Sequence, residues 1–343
     1  MKIAVDAMGG DKAPKVIVEG VEQARDLYPD LEFDLYGNPD AIKPLIKNDQ
    51  RLTIIPTSDD ITMGEEPVRA IRRKKDSSIV KAATAVKHGE ADAFFSAGNT
   101  GAVLAAGIFI VGRIKGIDRP GLTSVLPIAK PGASRHSFVY LDTGANAESK
   151  EQNLLQYAYL GKFYAESVLG VANPRIGLLN NGAEEDKGDS LHKAVWQQLN
   201  ARDDLNFIGN VEAGDLLYGK ADVVVSDGWT ANAALKATEG TAKMMLTLIK
   251  HGILNGGLRA KLGYLLLKPV FHKIGQTMST STYGGAVLLG LKAPVVKTHG
   301  ASDALAVKNT IGQIRTMFRA QLIEKTVDFF TDNPEVDKSG KNE

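Results

Sequence analysis

Lys2-Ile3-Ala4-Val5-Asp6-Ala7-Met8-Gly9-Gly10-Asp11-Lys12-Ala13-Pro14 joins a short apolar run, an acid, a glycine pair and a proline. The apolar run is continuous rather than alternating, as in a strand buried on both faces. Gly9-Gly10 supplies a tight turn. Pro14 opens a helix whose buried stripe is expected at Ile17, Val21, Ala24 and Leu27. Strand, glycine turn and helix together form the repeating unit of a parallel sheet. The unit recurs along the chain. Further strands are expected at 32–36, Leu52–Pro56, Ala93–Ser96, 138–142, Ile176–Asn180, 206–208, 223–226 and 295–298, each near a helical segment. A long closing helix is expected over 302–330. The fold class is therefore α/β, a mostly parallel sheet with helices on both faces. Ligands of such sheets bind at the carboxyl ends of the strands. No Gly/Ser-rich linker divides the chain, so residues 1–330 are expected to form one interwoven α/β domain, with a flexible polar tail at 331–343.

Composition narrows the function. The 343 residues hold 41 Lys+Arg and 40 Asp+Glu, a net charge of +1. That balance excludes a globally basic nucleic-acid coat, and no nucleic-acid partner is expected. The absence of cysteine excludes disulfides, thiolate metal sites and a catalytic thiol. The six histidines are dispersed without ligand spacing, so no metal is expected. Asp6 interrupts any apolar export signal, and Ser96-Ala97-Gly98-Asn99-Thr100-Gly101 breaks the uncharged stretch 93–112 where a membrane span would otherwise fit. A cytoplasmic location is expected.

The strand ends carry the unusual residues. Asp6 to Asp11 places Gly9, Gly10 and Asp11 where backbone amides can approach an anion, or forms a plain tight turn; neither a dinucleotide fingerprint nor a P-loop is present. Gly98, Asn99, Thr100 and Gly101 start a helix with groups suited to a phosphate or an oxyanion; helix capping explains them equally well. Asp142-Thr143-Gly144-Ala145-Asn146 ends a strand with an acid and follows it with an amide, or is plain turn chemistry. Lys187 follows Glu184-Glu185-Asp186 in a loop, either as surface charge or as a point charge for a carbonyl or phosphate. Ser96-Ala97-Gly98-Asn99-Thr100 is echoed by Ser226-Asp227-Gly228-Trp229-Thr230. These are two ordinary turns or two loops facing one cleft. Finally, no Asp or Glu lies between Glu239 and Asp303, while Lys243, Lys250, Arg259, Lys261, Lys268, Lys273, Lys292 and Lys297 do. Within that stretch an amphipathic helical pair is expected at 240–275. Its stripes are Met244, Met245, Leu248, Ile249 and Ile253, then Leu258, Leu262, Leu265, Leu266, Val270 and Phe271. Such a pair packs as core, lies on an anionic membrane or joins subunits.

Together these motifs, with Leu178-Leu179-Asn180, Asn232, Ala234-Leu235-Lys236, Glu239-Gly240, Gly284-Gly285-Ala286 and His299-Gly300, resemble the bacterial phosphate acyltransferases over nearly the whole chain. Trp229 and Ala231 stand where that family usually has Phe and Gly, and Asn181 where it often has an apolar residue. The resemblance implies a fold similar to isocitrate/isopropylmalate dehydrogenases and phosphotransacetylase, usually as a homodimer. It implies transfer of a long-chain acyl group from acyl-ACP (acyl carrier protein) to inorganic phosphate, with no cofactor and no metal. It further implies peripheral membrane association and a membrane glycerol-3-phosphate acyltransferase that uses the acyl phosphate. On this reading Lys187, Asn99 and Asp142 are the catalytic candidates. Gly9, Gly10, Asp11, Gly98, Thr100, Gly101, Thr143, Asn146 and Asn232 are the phosphate and substrate candidates. Arg259, Lys261, Lys268, Leu258 and Leu262 are the carrier-protein or membrane contacts. A dehydrogenase on the related fold and a non-enzymatic membrane scaffold are the alternatives.

Overall fold

The computed structural model describes residues 1–129, 132, 135–277 and 283–336. Its strands are β1 (Lys2–Asp6), β2 (Glu32–Gly37), β3 (Leu52–Pro56), β4 (Ala93–Ser96), β5 (Gly121–Pro127), β6 (Ser137–Leu141), β7 (Ile176–Asn180), β8 (Phe207–Glu212), β9 (Val223–Val225), β10 (Ala286–Leu289) and β11 (Val295–Lys297). They form one 11-stranded sheet in the order β3-β2-β1-β4-β11-β10-β5-β6-β9-β7-β8. Seven pairings are parallel; the three antiparallel ones are β11–β10, β10–β5 and β5–β6. The sheet is thus two parallel halves running in opposite directions, joined through a central antiparallel seam. β5 and β10, which make that seam, are absent from the strands expected above.

The helices are α1 (Lys15–Leu27), α2 (Pro39–Ile42), α3 (Pro67–Arg73), α4 (Ser78–Lys87), α5 (Thr100–Ala106), α6 (Glu151–Ser167), α7 (Ser190–Asn200), α8 (Gly228–Asn255), α9 (Gly257–Thr277), α10 (Ala304–Arg319) and α11 (Leu322–Asp332). α1 buries Ile17, Val21 and Ala24 against the sheet and α10; Leu27 ends the helix 55% exposed, outside the expected stripe. The closing helix is two helices rather than one, because Gln321 adopts φ +53°, a conformation that α-helix cannot continue through. Residues 331–336, expected to fray, instead dock: Val336 is buried, and its carbonyl accepts from Gln152 and Gln156 at 3.3 and 3.2 Å. The rest of the expected tail, 337–343, lies outside the described residues.

Cores lie on both faces of the sheet. One is built on Ile3, Val5, Phe33, Phe95, Tyr157 and Tyr164, the other on Ala4, Phe94, Val80 and Ala83. Neighbouring residues of β1 and β4 thus point to opposite cores, as the two-residue period of a strand requires. α8 and α9 behave differently. α8 buries only Gly228 and Ala231 and packs Ala234 and Leu235 partly against a core of Phe138, Tyr140 and Val224; from about residue 239 onward the pair is almost wholly exposed. Among the described residues no helix is long and apolar enough to cross a membrane.

Candidate active site

The central seam creates the site. A cleft of about 420 Å³ runs over β5 and β10, between the end of β11 and the start of α8. Thr100 from α5 and Lys297, Thr298 and His299 from the end of β11 line one side; Thr143, Asn232 and Lys236 line the other. Ser124 of β5 forms the floor, its hydroxyl 3.0 Å from that of Thr143. The two echoing loops stand differently: no residue of 226–230 lines the cleft. The first contributes Thr100, and the second starts the helix that carries Asn232 and Lys236.

Lys297 is the cation most committed to this cleft. Its ammonium donates to the Thr298 carbonyl at 2.9 Å and makes no ion pair among the described residues. Burial pushes its pKa down to about 8, and the positive charge of Lys236 across the cleft pushes the same way, with Asp11 partly opposing both. Lys236 is itself paired with Glu239 at 2.8 Å. The uncompensated positive charge in the cleft is thus Lys297. It sits beside hydroxyl and amide groups that can share an anion's remaining lone pairs.

The glycine loops pack on one another and on Asp6. Asp6 is fully buried, accepting from the Ser96 hydroxyl at 2.6 Å and the Met8 amide at 3.2 Å. Burial raises its pKa, and the hydrogen bonds from Ser78 and Ser96 oppose that rise. A Cβ on Gly9 would lie 2.3 Å from the Asp6 carboxylate and 2.7 Å from the Gly98 nitrogen, so the two loops meet backbone to backbone. The Gly98 amide is already donated to Ser96 at 2.9 Å. Gly9, Gly10, Gly98 and Gly101 are not in the cleft lining. Asp11 stands just behind it, with its amide on the Gly300 carbonyl at 2.9 Å.

Asn99 spends its whole side chain on structure. Its Oδ1 caps α5 through the Ala102 amide at 3.1 Å, and its Nδ2 donates to the carbonyls of Thr62, Met63 and Glu65, each at 3.1 Å. Asp142 is equally occupied. One carboxylate oxygen accepts the amides of Leu122, Gly144 and Ala145; the other accepts the backbone amide and the side-chain amide of Asn146. Burial raises its pKa against these bonds. Asn146 also donates to the Pro120 carbonyl at 2.9 Å and the Tyr157 hydroxyl at 2.8 Å. Asp142 and Asn146 thus hold the turn that presents Thr143 and lie beneath the lining. Lys187 lies on an exposed loop, 3.8 Å from Glu184, and is also outside the lining. Gly188 beside it packs against His192, whose Nε2 is 3.7 Å from the α8 cap Asp227. Of the nominated residues, the cleft gathers Thr100, Thr143 and Asn232. Arg259, Lys261, Lys268, Leu258 and Leu262 are all exposed on α9.

Lys297, Lys236 and His299 were given no role in the cleft by sequence reasoning. The available signal was Lys297 itself, a charge ending the apolar strand Val295–Lys297, where a parallel sheet puts its ligand. Among the described residues no group of three or more His, Cys, Asp or Glu could hold a metal ion.

In structure, the chain resembles a branched-chain phosphotransacylase from Enterococcus faecalis V583, with TM-score 0.59, 14% identity, and coverage of 92% of this chain and 98% of the other. It also resembles a phosphotransacetylase from Streptococcus pyogenes, with TM-score 0.57, 17% identity and 94% coverage of each. At these identities the likeness establishes the fold. In sequence, the family described as "Fatty acid synthesis protein" matches residues 1–325. The phosphate acyltransferase of Limosilactobacillus reuteri (strain DSM 20016) is 83% identical over 343 residues, all of both chains. That of Levilactobacillus brevis (strain ATCC 367) is 59% identical over 334 residues, 97% of this chain and 96% of the other. With a family match over most of its length and full-length relatives at this identity, the chain belongs to the phosphate acyltransferase family.

Proposed function

We propose that this enzyme moves a long-chain acyl group from acyl-ACP to inorganic phosphate in the cleft over β5, with Lys297 as the principal anion-binding charge. The observation that carries the assignment of the site is a largely buried ammonium, without an ion pair among the described residues, lining the same cleft as Thr100, Thr143 and Asn232. One phosphate oxygen attacks the thioester carbonyl carbon. The new C–O bond forms, the C–S bond breaks, and the proton of hydrogen phosphate ends on the departing sulfur. The products are acyl phosphate and free thiol, with no net change in protons. Holding phosphate beside the thioester supplies proximity, and Lys297 stabilises the charge that collects on phosphate and oxyanion. Thr143 and Asn232 orient the phosphate. Asp142, Asn146, Asn99 and the Gly9 and Gly98 loops act by fixing the backbone around them.

The remaining assignments belong to the same proposal. Residues 1–330 act as one interwoven unit, cytoplasmic and held at the membrane surface. The α8–α9 pair supplies that contact or a homodimer interface. A membrane glycerol-3-phosphate acyltransferase consumes the acyl phosphate in phospholipid synthesis. The test is direct: chelator-treated enzyme is given long-chain acyl-ACP and phosphate, and acyl phosphate is trapped with hydroxylamine after removal of thioester. Product that requires phosphate supports the reading. Binding of acyl-ACP without product overturns it in favour of a scaffold.

A further inference from the structure

We infer that the exposed face of α3 is the docking surface for an acidic protein that carries the acyl thioester; this rests on the cleft being the site of transfer. Residues 67–75 read Pro-Val-Arg-Ala-Ile-Arg-Arg-Lys-Lys, five cations and no acid. Arg69, Arg72, Arg73 and Lys75 are exposed and make no ion pair among the described residues. The acids nearby are mostly spent. Glu65 and Asp59 both hold Lys74, at 2.9 and 3.4 Å, and Asp76 holds Lys81 at 2.6 Å. Glu66 caps α3 through the amides of Val68 and Arg69. What α3 presents outward is therefore positive charge free to meet a partner.

The patch is locked to the cleft. Asn99 holds the carbonyls of the 62–65 loop just before α3, and Met63 of that loop lines the cleft while standing 51% exposed. Gly101 packs against Pro67, where a Cβ would come within 2.3 Å of the proline ring, and the neighbouring Thr100 faces the cleft. A protein bound on α3 thus rests on the rim through which its thioester enters. The cations of α9 are placed less well for that task. From Lys236 in the cleft wall to Asn255, α8 runs roughly 30 Å at about 1.5 Å per residue, so Arg259 and Lys261 lie a helix length from the chemistry.

The test reverses the patch in the full chain, as Arg69→Glu/Arg72→Glu/Arg73→Glu. Turnover is measured with an acyl carrier-protein thioester and with a small soluble acyl thioester that has no protein to dock. The expected result is a rise in KM for the protein-bound thioester of roughly tenfold to a hundredfold, with kinetics on the small thioester unchanged. Salt reads the same contact in unmodified enzyme. KM for the carrier substrate should climb with ionic strength as the Debye length shrinks from about 10 Å at 0.1 M, while KM for the small thioester stays level. An unchanged carrier KM in the variant, equal losses on both thioesters, or a salt-independent carrier KM overturns the proposal. Arg72→Gln, read by the same ratio, serves if the triple variant melts early. Phosphate-dependent product from the small thioester tests the cleft separately, so failure of the dock and failure of the transfer reading give different results.

Discussion

Replacing Lys297 by methionine should make the protein more stable and much less active. The ammonium is buried next to Lys236, and its pKa is pushed down from 10.5 to about 8. Carrying the proton at neutral pH therefore costs the folded state up to about 3 kcal/mol. The folded pKa lies below the unfolded value. The penalty is thus complete below pH 8, shrinks between 8 and 10.5, and vanishes above, where both states are neutral. Lys297→Met has similar length and no charge. In phosphate-free buffer at pH 7 its unfolding free energy should rise by up to about 3 kcal/mol, and the gain should fade as pH approaches 10.5. Its kcat/KM for phosphate should drop by roughly 10²–10³, the loss typical of removing one group that stabilises a transition-state anion. In the wild type, kcat/KM for phosphate should decline as pH rises through about 8, as Lys297 loses its proton. In Lys297→Arg the decline should be absent, because a guanidinium stays charged. Denaturant unfolding and phosphate-dependent turnover on the same preparations decide the matter. A methionine variant with wild-type turnover, or one no more stable than its parent at pH 7, refutes the assignment.

The other expectations separate scaffold from chemistry. Asp142→Asn exchanges one carboxylate acceptor for a donor among buried amides, so it should lose about 2–4 kcal/mol of stability; a stable variant lacking only turnover would restore Asp142 as a reacting group. Lys187→Ala removes an exposed charge already beside Glu184, and should lower kcat less than about tenfold because solvent screens such charges. A loss of about 10²–10³ would return the oxyanion role to Lys187. Asn232→Ala should raise KM for phosphate by roughly tenfold, the value of one or two polar contacts. An unchanged KM would remove it from the phosphate site.

How much of this was legible in the sequence depends on what each residue encodes. The β1 run and its Gly9-Gly10 turn were legible because burial on both faces leaves a continuous apolar signal. The reversal of direction across β10 and β5 was not, since a strand's apolar pattern is the same whichever way its neighbour runs. Thr123 and Ser124 further dilute β5, and Gly284-Gly285 precede β10 without marking it as a strand. The loops at strand ends were located correctly, but their polar residues were read as ligand groups. Asp6, Asn99, Asp142 and Asn146 look the same in sequence whether they face a substrate or a backbone amide. Only the geometry shows their hydrogen-bonding capacity taken up by protein. Lys297 was read only as one cation of the acid-free stretch, not as a cleft group. One lysine after two valines carries no periodicity, and its nearness to Lys236 and its lack of a carboxylate partner among the described residues show only in three dimensions.

The α8–α9 pair poses the remaining question, and burial energy sharpens it. Met244, Met245, Leu248, Leu258, Leu262, Leu265 and Leu266 are each more than half exposed, with Leu258 at 79% and Leu266 at 81%. Fully burying a side chain of this kind is worth about 1.5–3 kcal/mol. Covering most of this surface is therefore worth on the order of 10 kcal/mol, too much to leave unused in a protein whose net stability is of similar size. The main packing partner of α9 is α8, so the proposed cover is lipid or a second copy. The two covers respond differently to Leu258→Glu/Leu266→Glu. If lipid covers the tip, the variant stops floating with anionic vesicles, keeps its sedimentation coefficient, and turns over soluble thioester normally. If a second copy covers it, the variant sediments as a smaller species whether or not lipid is present. A variant that still binds vesicles and still sediments as the wild type would mean that neither cover rests on these leucines.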